Sequence, residues 1–166
     1  MSKDIASQPV GETHEEQLSH LKMLLDVSRQ VAAQDTLDMV LETLVILACE
    51  QTGAARGTLF LNDDSTGELF SRVATGLRVR EIRMMNDEGL AGSVFHSGKG
   101  EVVANAYADK RFNKAVDLET GFKTDNLLCV PIRTAKNEVI GVAQLLNKKG
   151  GFETIDLNVL QGITTQ

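Results

Sequence analysis

The chain has 166 residues, of which 42% are hydrophobic and 24% are charged, and 23 acidic against 17 basic side chains give a formal net charge of −6. This composition is typical of a soluble globular protein, and no basic cluster favours nucleic-acid binding. The chain contains no run of 18 apolar residues and no signal-peptide pattern. We therefore expect a cytoplasmic protein without a membrane span.

The N-terminal region predicts a tail and then a helix. Residues 1–13 are polar and include Pro9 and Gly11, which indicates a disordered tail. From residue 14 to residue 34 a helical pattern follows, and its apolar stripe resembles a seam of about two heptads. This pattern favours either an ordinary packed helix or a helix that pairs with its copy in a homodimer. The stripe consists of Leu18, Leu21, Leu25, Ser28 and Ala32.

A second, separate helix is predicted over residues 36–51. Asp35 has the character of an N-cap, and Gly53 follows as a stop signal. The wide apolar face of this helix predicts packing against a sheet. The main domain is therefore expected to cover residues 35–166 and to end in a truncated helix that begins near Thr154.

The centre of the chain alternates strand patterns with turn residues, and the strands are mostly arranged as hairpins. This order predicts an α+β fold, with a central antiparallel sheet and long helices on one face. The other face is expected to carry a ligand-covering lid of short helices and loops. Strands are predicted at 57–61, 68–75, 80–85, 126–134 and 138–148, with a short helix at 90–98 and a brief extended piece at 101–103.

A long polar stretch beginning at Tyr107 precedes the fourth of these strands and is the predicted lid. Loops of this length in a small domain are usually functional. Within the lid, Asp117 and Thr120 have a spacing that suits capping of a turn or helix. These side chains are therefore candidates both for ligand contacts and for structural caps.

The order of elements and the motifs in residues 89–152 resemble a GAF domain. GAF domains are sensory modules of cyclic-nucleotide phosphodiesterases, cyanobacterial-type adenylate cyclases and other signalling proteins. The lid sequence AYADKRFNKAVDLETGFKT is the most specific part of the resemblance. Further on, the chain resembles the Asn-Lys-Phe-Asp-Glu signature of nucleotide-binding GAF domains, with Leu157 in place of the glutamate. The resemblance implies structural roles, including a lysine–aspartate ion pair, for Asn147, Lys148, Phe152 and Asp156.

The same resemblance implies that a cyclic purine nucleotide, cAMP or cGMP, binds under the lid without a covalent cofactor or a metal. The small residues at 89–92 suit an anion at a helix start, although a glycine turn into a packed helix explains them equally. Gln144 interrupts an apolar strand, and its buried amide needs either a ligand or a structural partner. The implied ligand contacts are Thr58, Thr75, Leu90, Ala91, Asn113, Asp117, Thr120, Thr124 and Gln144.

Three departures from the family pattern affect the implied ligand site. Ala74 and Thr75 stand where the family places an aromatic–acid pair over the base, so the stacking aromatic is absent. Asn113 replaces a tyrosine found in some relatives. Gln144 replaces a glutamate found in others, and its amide could serve either adenine or guanine.

Other chemistries find little support in the sequence. Cys49 and Cys129 occur in apolar runs and are expected to be buried packing residues. The three histidines are scattered, without a metal-binding pattern, and no catalytic constellation is found.

The functional hypothesis is therefore a non-enzymatic regulatory domain of a larger signalling protein. The resemblance implies that a homodimer relays ligand binding through its terminal helices to an output domain such as a cyclase, phosphodiesterase or kinase. The alternatives are a ligand-free dimerisation and relay module, or a sensor of another small molecule.

Overall fold

A computed structural model describes residues 13–74 and 81–164. In the first helix, the structure describes the backbone but not the side chains at positions 27, 30–32, 34 and 35. The chain divides into two compact units, Met1–Leu37 and Asp38–Gln166. The predicted tail, apart from Thr13, lies outside the described residues, and so does Thr75.

The larger unit is built on one six-stranded sheet in which every neighbouring pair is antiparallel. The strand order is β3-β2-β1-β6-β5-β4, so β1 and β6 form the central pair. This arrangement confirms the predicted α+β fold. The strands are β1 Ala54–Asp63, β2 Glu68–Ala74, β3 Arg83–Met85, β4 Glu101–Val103, β5 Leu127–Arg133 and β6 Val139–Lys148. The helices are α1 His14–Thr52, α2 Gly89–Ser97, α3 Lys114–Thr120 and α4 Thr154–Thr164, with a 3-10 turn at Ala106–Ala108.

The predicted helix break at Asp35 is wrong, because α1 is one helix from His14 to Thr52. An aspartate costs only about 0.7 kcal/mol or less inside a helix. A glycine or proline would interrupt the helix more strongly, but the sequence of α1 contains neither. The helix does end at Gly53, as predicted, where φ is +82° and the backbone N–H donates to Cys49 O at 2.9 Å.

The sheet separates two hydrophobic layers. Side chains of successive strand residues point to opposite faces, so one strand serves both layers. On one face, Ala48 of α1 and Leu160 of α4 pack against strand residues such as Leu145. On the other face, α2 and the lid pack over residues such as Phe60 and Val142. The predicted placement of the long helices opposite the lid is therefore confirmed.

The central strands approach so closely that one position requires glycine. Leu61 of β1 lies opposite Gly141 of β6. A Cβ atom added to Gly141 would lie well inside van der Waals contact with the carbonyl oxygen of Phe60. Because the obstacle is backbone rather than a flexible side chain, a larger residue would force the two strands apart.

The lid segment, residues 104–126, is held at both ends. Near its beginning, Arg111 donates to Asp109 and Glu101 and to Ser93 of α2, with distances of 2.9–3.1 Å. Hydrogen bonds to Asp109 and then Glu101 raise the pKa of Arg111 above its ordinary value. At the end, Asn147 accepts from the backbone N–H of Asp125 at 2.6 Å and donates to Lys123 O at 2.8 Å.

The remaining residues of the signature connect β6 with α4. Lys148 Nζ lies 2.8 Å from Asp156 Oδ2, and the Asp156 side chain is almost fully buried. Burial alone raises the pKa of Asp156, but hydrogen bonds from Lys148 and from the Glu153 N–H outweigh it and leave the pKa below its ordinary value. Phe152 is buried in the helix-side layer.

We predict that Gly141→Ala lowers the free energy of unfolding by about 1–3 kcal/mol, because the new methyl group overlaps the Phe60 carbonyl. Gly162→Ala is the matched control, since a Cβ added there meets no atom within 4 Å. The control should gain about 0.5–1 kcal/mol, because alanine favours a helix interior. Urea unfolding measures both variants, and equal stabilities would contradict the prediction.

We predict that Asp156→Asn destabilises the domain at pH 7 by about 1–3 kcal/mol, because it leaves Lys148 without its carboxylate. The folded pKa of Asp156 is depressed. Its contribution is therefore present above the unfolded-state pKa of about 3.9 and is lost as the pH falls through the folded pKa.

The difference between wild type and Asp156→Asn should accordingly shrink below about pH 4. Urea unfolding at pH 7, 4 and 3 tests this. Glu153→Gln, a change at an exposed neighbouring acid, should show neither effect. A pH-independent difference would contradict the assigned ion pair.

Candidate functional site

A cavity lies between the lid-facing side of the sheet, α2 and the lid segment. It encloses about 670 Å³ of space not filled by protein atoms, part of it open to solvent. Its lining residues are Arg56, Thr58, Phe60, Ile82, Met84, Gly89, Leu90, Ala91, Phe112, Asn113, Val116, Asp117, Thr120, Phe122, Thr124, Gln144 and Leu146.

The structure brings together the residues that the sequence singled out as ligand contacts, with one exception. The exception is Thr75, which lies outside the described residues. The others come from four separate parts of the chain: β1, the start of α2, the lid and β6. They are Thr58, Leu90, Ala91, Asn113, Asp117, Thr120, Thr124 and Gln144.

Asp117 is the centre of a hydrogen-bond network inside the lid. Its Oδ2 accepts from the Thr124 N–H at 2.7 Å and from the Tyr107 hydroxyl at 2.9 Å, and its Oδ1 accepts from the Thr124 hydroxyl at 2.9 Å. Asp117 and Thr124 are both buried. The hydrogen bond to Asp117, followed by burial, raises the pKa of Tyr107. These contacts join α3 to both flanks of the lid.

Two other predicted contacts also stabilise the lid. Asn113 is the N-cap of α3, and its Oδ1 accepts from the Ala115 N–H at 3.0 Å. The Thr120 hydroxyl donates to Val116 O at 2.9 Å, one turn earlier in the helix. The sequence left open that Asp117 and Thr120 cap the lid helix, but the side chain at its N-cap is Asn113, and Asp117 and Thr120 bond elsewhere within the lid.

The sheet forms the floor of the pocket opposite the lid and contributes polar side chains to it. Thr58 of β1 and Gln144 of β6 are paired across the two central strands. Arg56 lies two residues before Thr58 and therefore on the same face, and its guanidinium carbon lies 4.0 Å from the centre of the Phe122 ring. The floor thus offers a hydroxyl, an amide and a cation to a bound molecule.

Arg56, Phe112 and Phe122 were not predicted as site residues. Period two along β1 could have revealed Arg56, because it shares the face of Thr58. The two phenylalanines are isolated apolar residues in a polar lid, which is a weaker signal. They supply aromatic surface to a pocket that lacks an aromatic residue at position 74.

The start of α2 forms one wall of the pocket. Gly89 has φ of +69°, and a Cβ added there would lie 3.3 Å from Arg111 O, so the lid crosses close to this turn. The first N–H groups of a helix lack partners within the helix. Asp87 and Glu88, which precede the turn, are exposed, and Glu88 makes no side-chain capping hydrogen bond.

A second cavity lies on the helix-facing side of the sheet. It is lined mainly by apolar residues of α1, β1, β6 and α4, including Leu44, Leu59, Ala143 and Ile163. Thr58 and Gln144 contribute to the walls of both cavities, so a single layer of backbone separates them.

Among residues 13–74 and 81–164, no group of three or more His, Cys, Asp or Glu side chains is placed to hold a metal ion. None of the helices in these ranges combines the length and hydrophobicity needed to cross a membrane.

Relatives of known description resemble the chain over most of its length. A probable 3′,5′-cyclic phosphodiesterase of Caenorhabditis elegans is 36% identical over 160 residues, which cover 89% of this chain and 22% of the relative. A cGMP-specific 3′,5′-cyclic phosphodiesterase of Drosophila melanogaster is 30% identical over 177 residues, which cover 96% of this chain and 16% of the relative. The chain thus spans less than a quarter of either enzyme.

Solved structures show the same fold at lower sequence identity. The GAF domain of a phosphoenolpyruvate-protein phosphotransferase from Coxiella burnetii superimposes with a TM-score of 0.69 at 24% identity, covering 86% of this chain and 87% of that one. A type II free methionine-R-sulfoxide reductase from Thermoplasma acidophilum gives a TM-score of 0.67 at 14% identity, covering 79% and 89%. The family profile described as GAF domain matches residues 36–166. The chain therefore belongs to the GAF domain family, and the resemblance stated from its sequence is confirmed.

Proposed function

We propose that this chain is a regulatory GAF domain that binds a cyclic purine nucleotide, cAMP or cGMP, under its lid. The observation that carries the proposal is the convergence of residues from four separate segments on one lid-covered cavity. The cavity is mainly apolar with a few polar groups, which is typical of small-molecule sites. The cyclic-nucleotide phosphodiesterases among the relatives support a nucleotide ligand.

The phosphate would approach the first turn of α2. Leu90 and Ala91 line the cavity there, and free N–H groups together with the helix dipole favour an anion. Asp87 and Glu88, the acidic residues just before this turn, are exposed, so neither of these two carboxylates faces the approaching phosphate.

The purine would lie over the sheet. Thr58 and Gln144 can donate and accept hydrogen bonds at the edge of a base. Arg56, Phe112 and Phe122 offer flat cationic or aromatic surfaces that can stack on it. The lid side chains Asp117 and Thr120 would act mainly by holding the lid in its closed form.

Binding would be relayed through the sheet to the terminal helices. The floor strands of the pocket are also the strands on which α1 and α4 pack. Gly57 of β1 lies so close to α1 that an added Cβ would be 2.6 Å from Val45 Cγ1. Asp38 of α1 also pairs with Arg72 of β2 at 2.6 Å. A shift of the central strands would therefore move these helices.

We also propose a cytoplasmic homodimer that pairs through the terminal helices and is attached to an output domain such as a cyclase, phosphodiesterase or kinase. Support for pairing comes from apolar side chains of α1 that are about half exposed, including Leu18, Leu21 and Leu25. Their 3,4 spacing suits a helix–helix seam. The proposal of an attached output domain rests on the greater length of the relatives.

Two alternative functions are tested by the same ligand-binding measurements. A ligand-free dimerisation and relay module is favoured by the hydrogen bonds that the lid polar groups make among themselves. A sensor of another small molecule is compatible with the apolar pocket, and haem would reveal itself by visible absorbance of the purified protein.

We predict that saturating cAMP or cGMP, at about 100 times its dissociation constant, stabilises the protein by roughly 2.7 kcal/mol. This gain corresponds to a melting shift of several degrees for a domain of this size. Thermal unfolding with each nucleotide separately measures it. No shift with either nucleotide, for protein free of bound ligand, would favour the ligand-free module.

A matched pair of lid variants locates the binding site. Val116→Trp places a large ring in the cavity and should abolish the shift, because Val116 lines the pocket. Leu118→Trp is the control, since Leu118 lies on the same helix but is 84% exposed. Equal nucleotide responses of these two variants would place binding outside this cavity.

We predict that Leu21→Asp combined with Leu25→Asp converts a dimer to monomers, because the seam cannot bury the added charges. Ser19→Asp with His20→Asp adds the same charge off the stripe and should leave the dimer intact. Sedimentation equilibrium reports the result, and a monomeric wild type would contradict the proposed pairing.

A further inference from the structure

The polar side chains that line the pocket fall into two groups among the described residues. One group belongs to the lid, and each of its members already makes a hydrogen bond within the lid segment. These are Asn113, Asp117, Thr120 and Thr124. The other group lies on the sheet and consists of Arg56, Thr58 and Gln144. Polar recognition of a ligand therefore depends mainly on these three sheet residues.

The three sheet residues differ in what they can recognise. The hydroxyl of Thr58 and the amide of Gln144 each contain a donor and an acceptor, so both can adapt to a ligand edge of either kind. The guanidinium of Arg56 carries five N–H donors and no acceptor, and it stays protonated in proteins. Of the three, Arg56 is therefore the residue that can discriminate between ligand edges.

The guanidinium of Arg56 is placed in the pocket by its contact with the lid. Arg56 is half-buried, and its guanidinium carbon lies 4.0 Å from the centre of the Phe122 ring. Among the residues that the structure describes, no carboxylate forms an ion pair with it. A ring covers a face of the guanidinium, whereas the N–H groups point outward in its plane. These donors can therefore contact a ligand that lies at the edge of the guanidinium.

Guanine and adenine present different edges to such a donor. Guanine has two adjacent acceptors, N7 and O6, which an arginine can contact bidentately. Adenine has the N7 acceptor but carries an amino donor in place of O6. Against a guanidinium, adenine thus loses one hydrogen bond and sets a donor against a donor.

We propose that Arg56 reads the N7 and O6 edge of a purine and gives the pocket a preference for cGMP over cAMP. This inference rests on the proposed binding of a cyclic purine nucleotide. Arg56 and Thr58 are two residues apart on one face of β1, about 7 Å by strand geometry. A base lying over Thr58 and Gln144 would therefore have the guanidinium beside it.

Calorimetry measures the dissociation constants of cAMP and cGMP for the wild type and three variants. The wild type should bind cGMP about 5- to 100-fold more tightly, the range expected for one bidentate arginine–guanine contact. Arg56→Met keeps an unbranched side chain but removes every donor, and it should bring the two constants within about twofold of each other. Arg56→Gln introduces an amide, which suits adenine N6 and N7, and should reduce or reverse the preference. Lys136→Met is the control, because it removes the same charge at an exposed turn outside the pocket and should leave the ratio unchanged.

The ratio of the two constants separates reading of the base from other effects of the change. The cyclic phosphate is the same in both nucleotides, so a lost attraction to it, like a weakened fold, lowers both affinities together. Thermal unfolding without nucleotide establishes which variants are folded, and Arg56→Gln carries the test if Arg56→Met does not fold. A wild type that binds neither nucleotide overturns the proposed function, and this inference with it. A wild type that binds both equally or prefers cAMP, or an Arg56 variant that keeps the wild-type ratio, overturns the inference alone.

Discussion

The register between β1 and β6 is the constraint on which both the site and the helix layer depend. These strands occupy the centre of the sheet, and their alternate residues face opposite layers. Thr58 and Gln144 face the pocket, while Leu59 and Leu145 face the helices. A slip of one residue would exchange the two sets, putting polar groups beneath α1 and leucines in the pocket floor. The close fit of Gly141 against β1 opposes such a slip, because a neighbouring residue in its place would clash with the Phe60 carbonyl.

The lid is organised by its own hydrogen bonds. Its buried carboxylate, Asp117, is satisfied by Thr124 and Tyr107, and its two ends are held by Arg111 and Asn147. A loop that forms its own hydrogen bonds loses less conformational entropy on binding than a disordered one. The polar recognition of a ligand must then come largely from the sheet and from helix α2, since most lid side chains expected to contact it already have partners. If the proposed nucleotide binds, this division would assign shape and closure to the lid, and chemical discrimination to the floor.

A single sheet is also the shortest route between a ligand and the helices. The pocket and the helix-side cavity lie on opposite faces of β1 and β6, and the backbone of these two strands forms a wall of both. Displacement of the sheet reaches α1 where the two are in direct contact, because close-packed atoms cannot absorb it. Val45 of α1 touches the sheet at Gly57, where no side chain intervenes, and the Asp38–Arg72 pair fixes a second point on the same helix. Both contacts lie within the larger unit, beside the strands that carry Thr58 and Gln144.

Local patterns in the sequence were sufficient for the strands and the lid, and the family resemblance pointed to most of the pocket residues, but neither reached features that depend on neighbours distant in the chain. The hairpins follow from turn residues, whereas the lid helix starts at a cap, Asn113, that the spacing of Asp117 and Thr120 did not indicate. The Asp35 cap was misjudged because a favourable cap does not end a helix that lacks a glycine or proline. Arg56 was within reach of the period-two pattern of β1. The pairing of Cys129 with Gln144 was not, because it requires knowing which residues of β5 and β6 lie opposite each other. That register is determined by the burial of both faces of the sheet at once, a property of the folded domain that no single strand contains.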